Sequence, residues 1–218
     1  MTYLTHAIKL PLGIESKDYV KIVSEFVGID GENIHKLTLR KRSIDARDKS
    51  QIRIVCSFVF DCDYEPKHNC DYYTPKSNIL NEVEKTKTPQ KIIVIGSGPA
   101  GLFSALYLSK AGHNVIIIER GEDVTERKAT VDKFFVCGQF NDKSNVQFGL
   151  GGAGTFSDGK LTSGISSPYI NTVFEEFNAL GAPDDIMYSN TPHIGTDYLT
   201  SVVDNMRREI ENYGGQFL

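Results

Sequence analysis

Apolar residues are distributed in two different ways along this chain. Up to Phe60 they come in alternating or helix-spaced runs, whereas from Lys91 they form unbroken blocks punctuated by glycine. In the first part, Tyr3 to Leu10 reads as a strand stopped by Pro11 and Gly13. Ser16 is placed to cap a helix running to Phe26, with Tyr19, Val20, Ile22, Val23 and Phe26 as its apolar face. Ile34 to Arg42 sets Ile34, Leu37 and Leu39 against His35, Lys36, Thr38 and Arg40, and Ile52 to Phe60 is dense in β-forming residues. In the second part, Lys91–Ile95 and Val115–Glu119 are continuous runs suited to strands buried on both faces. Between them, Pro99 to Ala111 has a helical pattern with Gly112 just past its end.

Further helices are expected from Glu122 to Phe135, from Pro168 to Gly181 with Ser167 as cap, and from Asp197, as cap, to Gly214-Gly215. Gly149 to Gly164 is a glycine-rich loop. The fold class expected is α/β, in two domains. Residues 1–80 match the strand–helix–strand–strand start of a small ferredoxin-like α+β sandwich, and 81–90 are a polar linker closed by Pro89. Residues 91–218 form a Rossmann-like dinucleotide-binding βαβ domain, incomplete at its carboxyl end. Only two full parallel strands precede Leu218, so the chain is expected to be an amino-terminal fragment.

Charge and composition narrow the function. The 218 residues are 40% hydrophobic and 24% charged, enough for a packed core. Lys+Arg 24 against Asp+Glu 28 gives a net charge of -4, and the acidity belongs to the second part. That balance disfavours nucleic acid as the main partner, since neutralising phosphates needs a cationic footprint. No apolar run approaches the ~20 residues of a membrane span, and no secretory leader is visible at the start, so the expected location is cytoplasmic. Cys56, Cys62, Cys70 and Cys137 include no C-x-x-C pair, and no metal site is expected. The basic cluster Arg40, Lys41, Arg42, Arg47 and Lys49 has two readings, a contact for an anionic partner and, more plainly, a solvated strand end.

The chemistry concentrates in Gly96-Ser97-Gly98-Pro99-Ala100-Gly101, directly after a strand and opening a helix. Gly96 suits the tight turn, Gly98 lets backbone approach a pyrophosphate, and Gly101 lets helix and strand pack closely. The helix dipole and free N–H groups at such a start favour an anion. Glu119 ends the second strand, where a carboxylate can accept hydrogen bonds from ribose and repels a 2′-phosphate.

The stretch from Ile95 through Leu102, together with Glu119-Arg120-Gly121, is similar to the FAD-binding domain of glutathione-reductase-type flavoproteins. Phe148 to Thr162, with its Gly-Gly-Ala-Gly-Thr-Phe-Ser-Asp-Gly-Lys core, resembles a signature of the bacterial FAD-dependent dehydrogenase (NAD(FAD)-utilizing dehydrogenase) family. Ser43 to Arg47 and Pro192-His193 through Asp197 are two further anchors of that resemblance. It implies FAD as cofactor, with NAD(P)H as a candidate electron donor, and a small-molecule substrate or redox partner that stays open, as does the oligomeric state. By resemblance Arg127 approaches the FAD phosphates; read from its acidic neighbours alone it is a solvated helix charge. Gly151, Gly152 and Gly154 allow main chain to lie against the cofactor, Thr155 and Ser157 offer hydroxyls, and Lys160 a positive charge. A surface-lid role for this loop stays open. His193 and Asp197 read as a loop residue and a helix cap, and no catalytic acid or base can be assigned. An NAD-binding dehydrogenase and a non-catalytic interaction module are the alternatives.

Overall fold

The computed structural model of the chain describes residues 1–218, the side chain of Thr196 excepted. The fold divides into two units, residues 1–76 with 187–192 and residues 77–186 with 193–218. The division falls before the polar stretch 81–90, because Leu80 is buried in the core of the second unit and Val83 packs against it.

The first unit is organised by β4 (Arg53–Cys62), whose side chains alternate strictly between the core and a half-covered face. Its inward residues Ile54, Cys56, Phe58, Phe60 and Cys62 are all buried, as period-two patterning over one covered face requires. β3 (Ile34–Asp45) pairs antiparallel along one side of β4. The other side carries β1 (Thr2–Thr5) and β2 (Ile8–Leu10), and β5 (Cys70–Tyr72) adds antiparallel to β1. The single strand expected from Tyr3 to Leu10 is therefore broken at His6-Ala7. Its register with β4 slips by one residue between Leu4↔Val59 and Ile8↔Cys56. The buried Thr5 hydroxyl accepts the Phe58 N–H at 3.0 Å across that break.

α1 (Tyr19–Val27) contributes Val23 and Val27, both fully buried, to the core that holds the inward face of β4, and ends at left-handed Gly28. Ser16 does not cap it; a short 3-10 turn, Ser16–Asp18, precedes the helix, flanked by Glu15. The strand–helix–strand–strand order is present, but residues 63–69 between β4 and β5 form no helix, so a two-helix ferredoxin-like sandwich is not built. Residues 187–192 join this unit. The Arg42 N–H donates to the Tyr188 carbonyl at 2.7 Å and the Asn190 N–H to the Arg42 carbonyl at 3.0 Å, along the outer edge of β3.

The second unit is a parallel sheet in the order β6 (Lys91–Ile95), β7 (Asn114–Ile118), β8 (Gln216–Phe217). α2 (Pro99–Lys110) joins β6 to β7, and α5 (Thr196–Asn212) leads into β8. Leu102, Ala105 and Leu106 of α2 share one core with Val115 and Ile117 of β7 and Val203, Met206 and Ile210 of α5. α3 (Val124–Cys137) starts at Asp123, whose carboxylate accepts the N–H groups of Thr125 and Glu126 at 2.9 and 3.0 Å. α4 (Tyr169–Ala179) starts after Ser167, whose hydroxyl accepts the Tyr169 N–H at 3.2 Å. Asp197 does not cap α5. The position before that helix is Gly195, and Asp197 lies exposed in the first turn.

The strands differ from the expectation of burial on both faces. Ile93, Ile95 and Ile118 are 55%, 76% and 41% exposed, so helices cover one face of the sheet only. The exposed face is the one a second helical layer covers in fully wound parallel sheets.

Candidate functional site

Gly96, in the left-handed region at φ 88°, ends β6, and its N–H donates to the Ile118 carbonyl at 2.8 Å, tying the turn to β7. Gly98 precedes α2 with no capping side chain, and Pro99 occupies the first helical position. A Cβ on Gly101 would land on the Gly96 carbonyl oxygen, so the turn and α2 can close together only over glycine. A Cβ on Gly98 would meet nothing within 4 Å, which leaves open the approach that a pyrophosphate requires. The turn thus supplies an uncapped helix start beside free space.

Glu119 follows β7 and faces this turn. One carboxylate oxygen accepts the Ser97 N–H at 2.8 Å and the Ser97 hydroxyl at 2.5 Å; the other accepts the Gly121 N–H at 2.9 Å. Partial burial pushes the carboxyl pKa up, but the hydrogen bonds from the Ser97 hydroxyl and the Gly121 and Ser97 amides outweigh it and hold the group below its usual value. Glu119 is therefore first a tie between the Gly96–Gly101 turn and the Glu119–Gly121 turn. Ser97 has no exposed surface, and both its hydroxyl and its N–H are committed to Glu119, so it offers nothing to a ligand.

The glycine-rich loop lies against both turns. Gly149 packs on Gly121, Gly152 packs on Gly98, and the Gly151 N–H donates to the Ser97 carbonyl at 2.9 Å. The loop shortens into a 3-10 turn over Gly152–Phe156. Thr155 is buried and donates its hydroxyl to the Leu150 carbonyl at 3.2 Å, a bond within the loop itself. Gly154 is exposed and open, and the Ser157 hydroxyl donates to its carbonyl at 2.8 Å. Arg120 has its guanidinium 4.8 Å from the Phe148 ring. Lys160 is exposed and paired with Asp158 at 2.8 Å. His193 stands exposed opposite Lys160 in an isolated bridge.

Arg127 departs from the reading that its acidic neighbours suggest. It is fully buried, not a solvated helix charge, and its guanidinium donates to three carbonyl oxygens: Asn145 at 2.9 Å, Leu150 at 2.7 Å and Gly152 at 2.8 Å. The Phe156 ring lies 4.8 Å from its central carbon. Burial pushes the Arg127 pKa down to about 10, opposed by the negative charge of Glu119, so the group stays cationic at neutral pH. Two further buried residues, Ser144 and Asn145, support the same region. Ser144 accepts the Glu122 N–H at 3.2 Å, and the Asn145 side chain accepts the Gln147 and Phe148 N–H groups at 2.9 and 3.3 Å. Sequence reasoning misses them, because their only signal is the polar run Asn141–Asn145, which has the composition of an ordinary turn.

Residues 91–133 match the family described as FAD dependent oxidoreductase. Residues 4–60 match a family described as a domain of unknown function (DUF8436). An uncharacterized protein of Clostridium beijerinckii is 40% identical over 219 residues, which covers 96% of this chain and 40% of that protein. The chain thus spans about two fifths of the length of that relative. The glutamate synthase (NADPH) small chain of Bacillus subtilis is 48% identical over 44 residues, 20% of this chain and 9% of that one. The L-amino-acid oxidase of Demansia vestigiata is 42% identical over 50 residues, 23% and 10% of the respective chains. The similarity of this chain is to FAD-dependent oxidoreductases. Among the described residues, no helix is long and apolar enough to cross a membrane.

Proposed function

We propose that the chain forms the FAD-binding portion of an FAD-dependent oxidoreductase of the dehydrogenase type. The observation that carries the reading is the open, uncapped start of α2 after Gly96-Ser97-Gly98, inside the segment that matches the FAD dependent oxidoreductase family. The residues present fit the group. Gly98 leaves room for the pyrophosphate, and the α2 start supplies amide N–H groups and the positive end of a helix dipole. Glu119 has spent three acceptor positions on the protein, and its remaining lone-pair capacity is available to a ribose hydroxyl. Gly154 offers open main chain on the loop that lies beside the turn.

FAD, when bound, supplies hydride and electron transfer between a donor, for which NAD(P)H is the candidate, and an acceptor. This chain's own residues bind and orient the dinucleotide. None of them is assigned to move a proton. An NAD-binding dehydrogenase with the same βαβ unit is separated by one measurement. Purified protein titrated with FAD and with NAD in a calorimeter is expected to bind FAD and to show flavin absorbance released on denaturation. Binding of NAD with no affinity for FAD would overturn the reading.

A further inference from the structure

A fully buried arginine with no carboxylate at salt-bridge distance among the described residues needs another reason to be inside. At Arg127 the reason is main chain: the three hydrogen bonds of its guanidinium go to carbonyl oxygens of residues 145–152, and its face rests on Phe156. We infer that Arg127 is a positioning residue, which pins the glycine-rich loop against the dinucleotide turn without touching a ligand itself. The inference rests on the FAD reading for its consequence, though not for its geometry.

The connection can be followed atom by atom. Arg127 Nη2 holds the carbonyl of Gly152, and an added Cβ on Gly152 would sit 3.2 Å from Gly98 Cα. Arg127 Nη1 holds the carbonyl of Leu150, the residue before Gly151, and Gly151 donates to the Ser97 carbonyl. The Leu150 N–H donates to the Glu122 carbonyl at 3.0 Å. Gly149 lies so close to Arg127 that a Cβ there would fall 2.6 Å from the arginine Cδ. The loop is therefore clamped from one side by α3 and laid on the Gly96–Gly101 turn from the other. Only a planar fork of donors can serve three carbonyls that diverge in this way; an ammonium reaches fewer of them at once.

The test compares Arg127→Met and Arg127→Lys with the native chain. Amide hydrogen exchange in ligand-free protein reads the pin, and calorimetry with FAD reads its consequence. Both variants are expected to speed exchange of the 149–152 amides by about tenfold or more while leaving the β7 amides unchanged. FAD affinity is expected to fall about ten- to a hundred-fold in both, with lysine no better than methionine. Unchanged loop exchange would overturn the pin. Near-native FAD affinity in Arg127→Lys alongside loss in Arg127→Met would also overturn it, because charge rather than fork geometry would then be the cause. If neither variant folds, Gly152→Ala serves: its methyl lifts the loop from Gly98 with Arg127 intact, and undiminished FAD affinity in that protein contradicts the inference. Failure of the native chain to bind FAD defeats the proposed function instead, and the ligand-free exchange result still decides the pin.

Discussion

Ser97 and Glu119 show how much of the Gly96–Gly101 turn is spent on holding itself together. With three hydrogen bonds converging on one carboxylate, Glu119→Gln removes the charge and turns one acceptor into a donor facing N–H groups. The expected cost is about 1–3 kcal/mol of stability. Its pH dependence follows from the lowered pKa: the folded state prefers the carboxylate more than the unfolded chain does. The contribution is fully present above the unfolded value of roughly 4.3 and is lost as pH falls through the lower folded value. Denaturant titrations of the native and Glu119→Gln proteins should therefore differ at pH 7 and draw together as pH falls below roughly 4.3. At the neighbouring glycines the two substitutions should separate. Gly98 has φ −67° and ψ 179°, which any residue adopts, and open space beside it. Gly98→Val should leave the melting temperature within a few degrees of native while weakening FAD binding by about tenfold or more, because the new side chain fills the approach. Gly101→Ala meets the Gly96 carbonyl and should instead cost about 1–3 kcal/mol of stability. Thermal melts with parallel FAD titrations distinguish the two.

At the scale of elements, α4 is tied to the rest of its unit by a buried polar cluster. Glu176 accepts from the Asn78 side-chain amide at 3.0 Å and lies 3.6 Å from the Lys110 ammonium, with the two charged side chains 7% and 13% exposed. Removing one member leaves the other charge buried and poorly paired. Lys110→Met alone is expected to cost about 3–5 kcal/mol, whereas Lys110→Met with Glu176→Leu should recover most of the loss. A double-mutant cycle by denaturant unfolding gives the comparison, and additive losses would contradict it. The pattern of α4 predicts a helix with an apolar face, and nothing in that pattern marks Glu176 as an inward residue. Its partner Asn78 is 98 positions away.

For the molecule as a whole, the bare side of the parallel sheet is the feature with the widest consequence. Ile93, Ile95 and Ile118 together present apolar surface of the kind that drives association in soluble proteins. Ile93→Thr with Ile95→Thr keeps β-branched side chains in β6 and removes part of that surface. The double variant is expected to bind less of a hydrophobic dye and to show less concentration-dependent association by light scattering, with its circular dichroism unchanged. Equal association by native and variant protein would place the sticky surface elsewhere.

Several features were legible in the sequence because they depend on local rules. The strand character of β4, the turn glycine that ends β6 and the closeness of Gly101 to the turn follow from β-forming composition and from the space a Cβ needs. The acid at the end of β7, beside the Gly96–Gly101 turn, is legible from its place after the second apolar run. Tertiary structure decided what those residues face. Arg127 is separated from its three carbonyl partners by 18, 23 and 25 residues, so no helical pattern could reveal that it turns inward to a loop rather than outward to solvent or ligand. The strand runs Lys91–Ile95 and Val115–Glu119 are largely apolar, yet only packing determines which side is covered, and here one side is bare. Composition specifies that a strand is able to bury both faces; the elements folded against it determine whether it does.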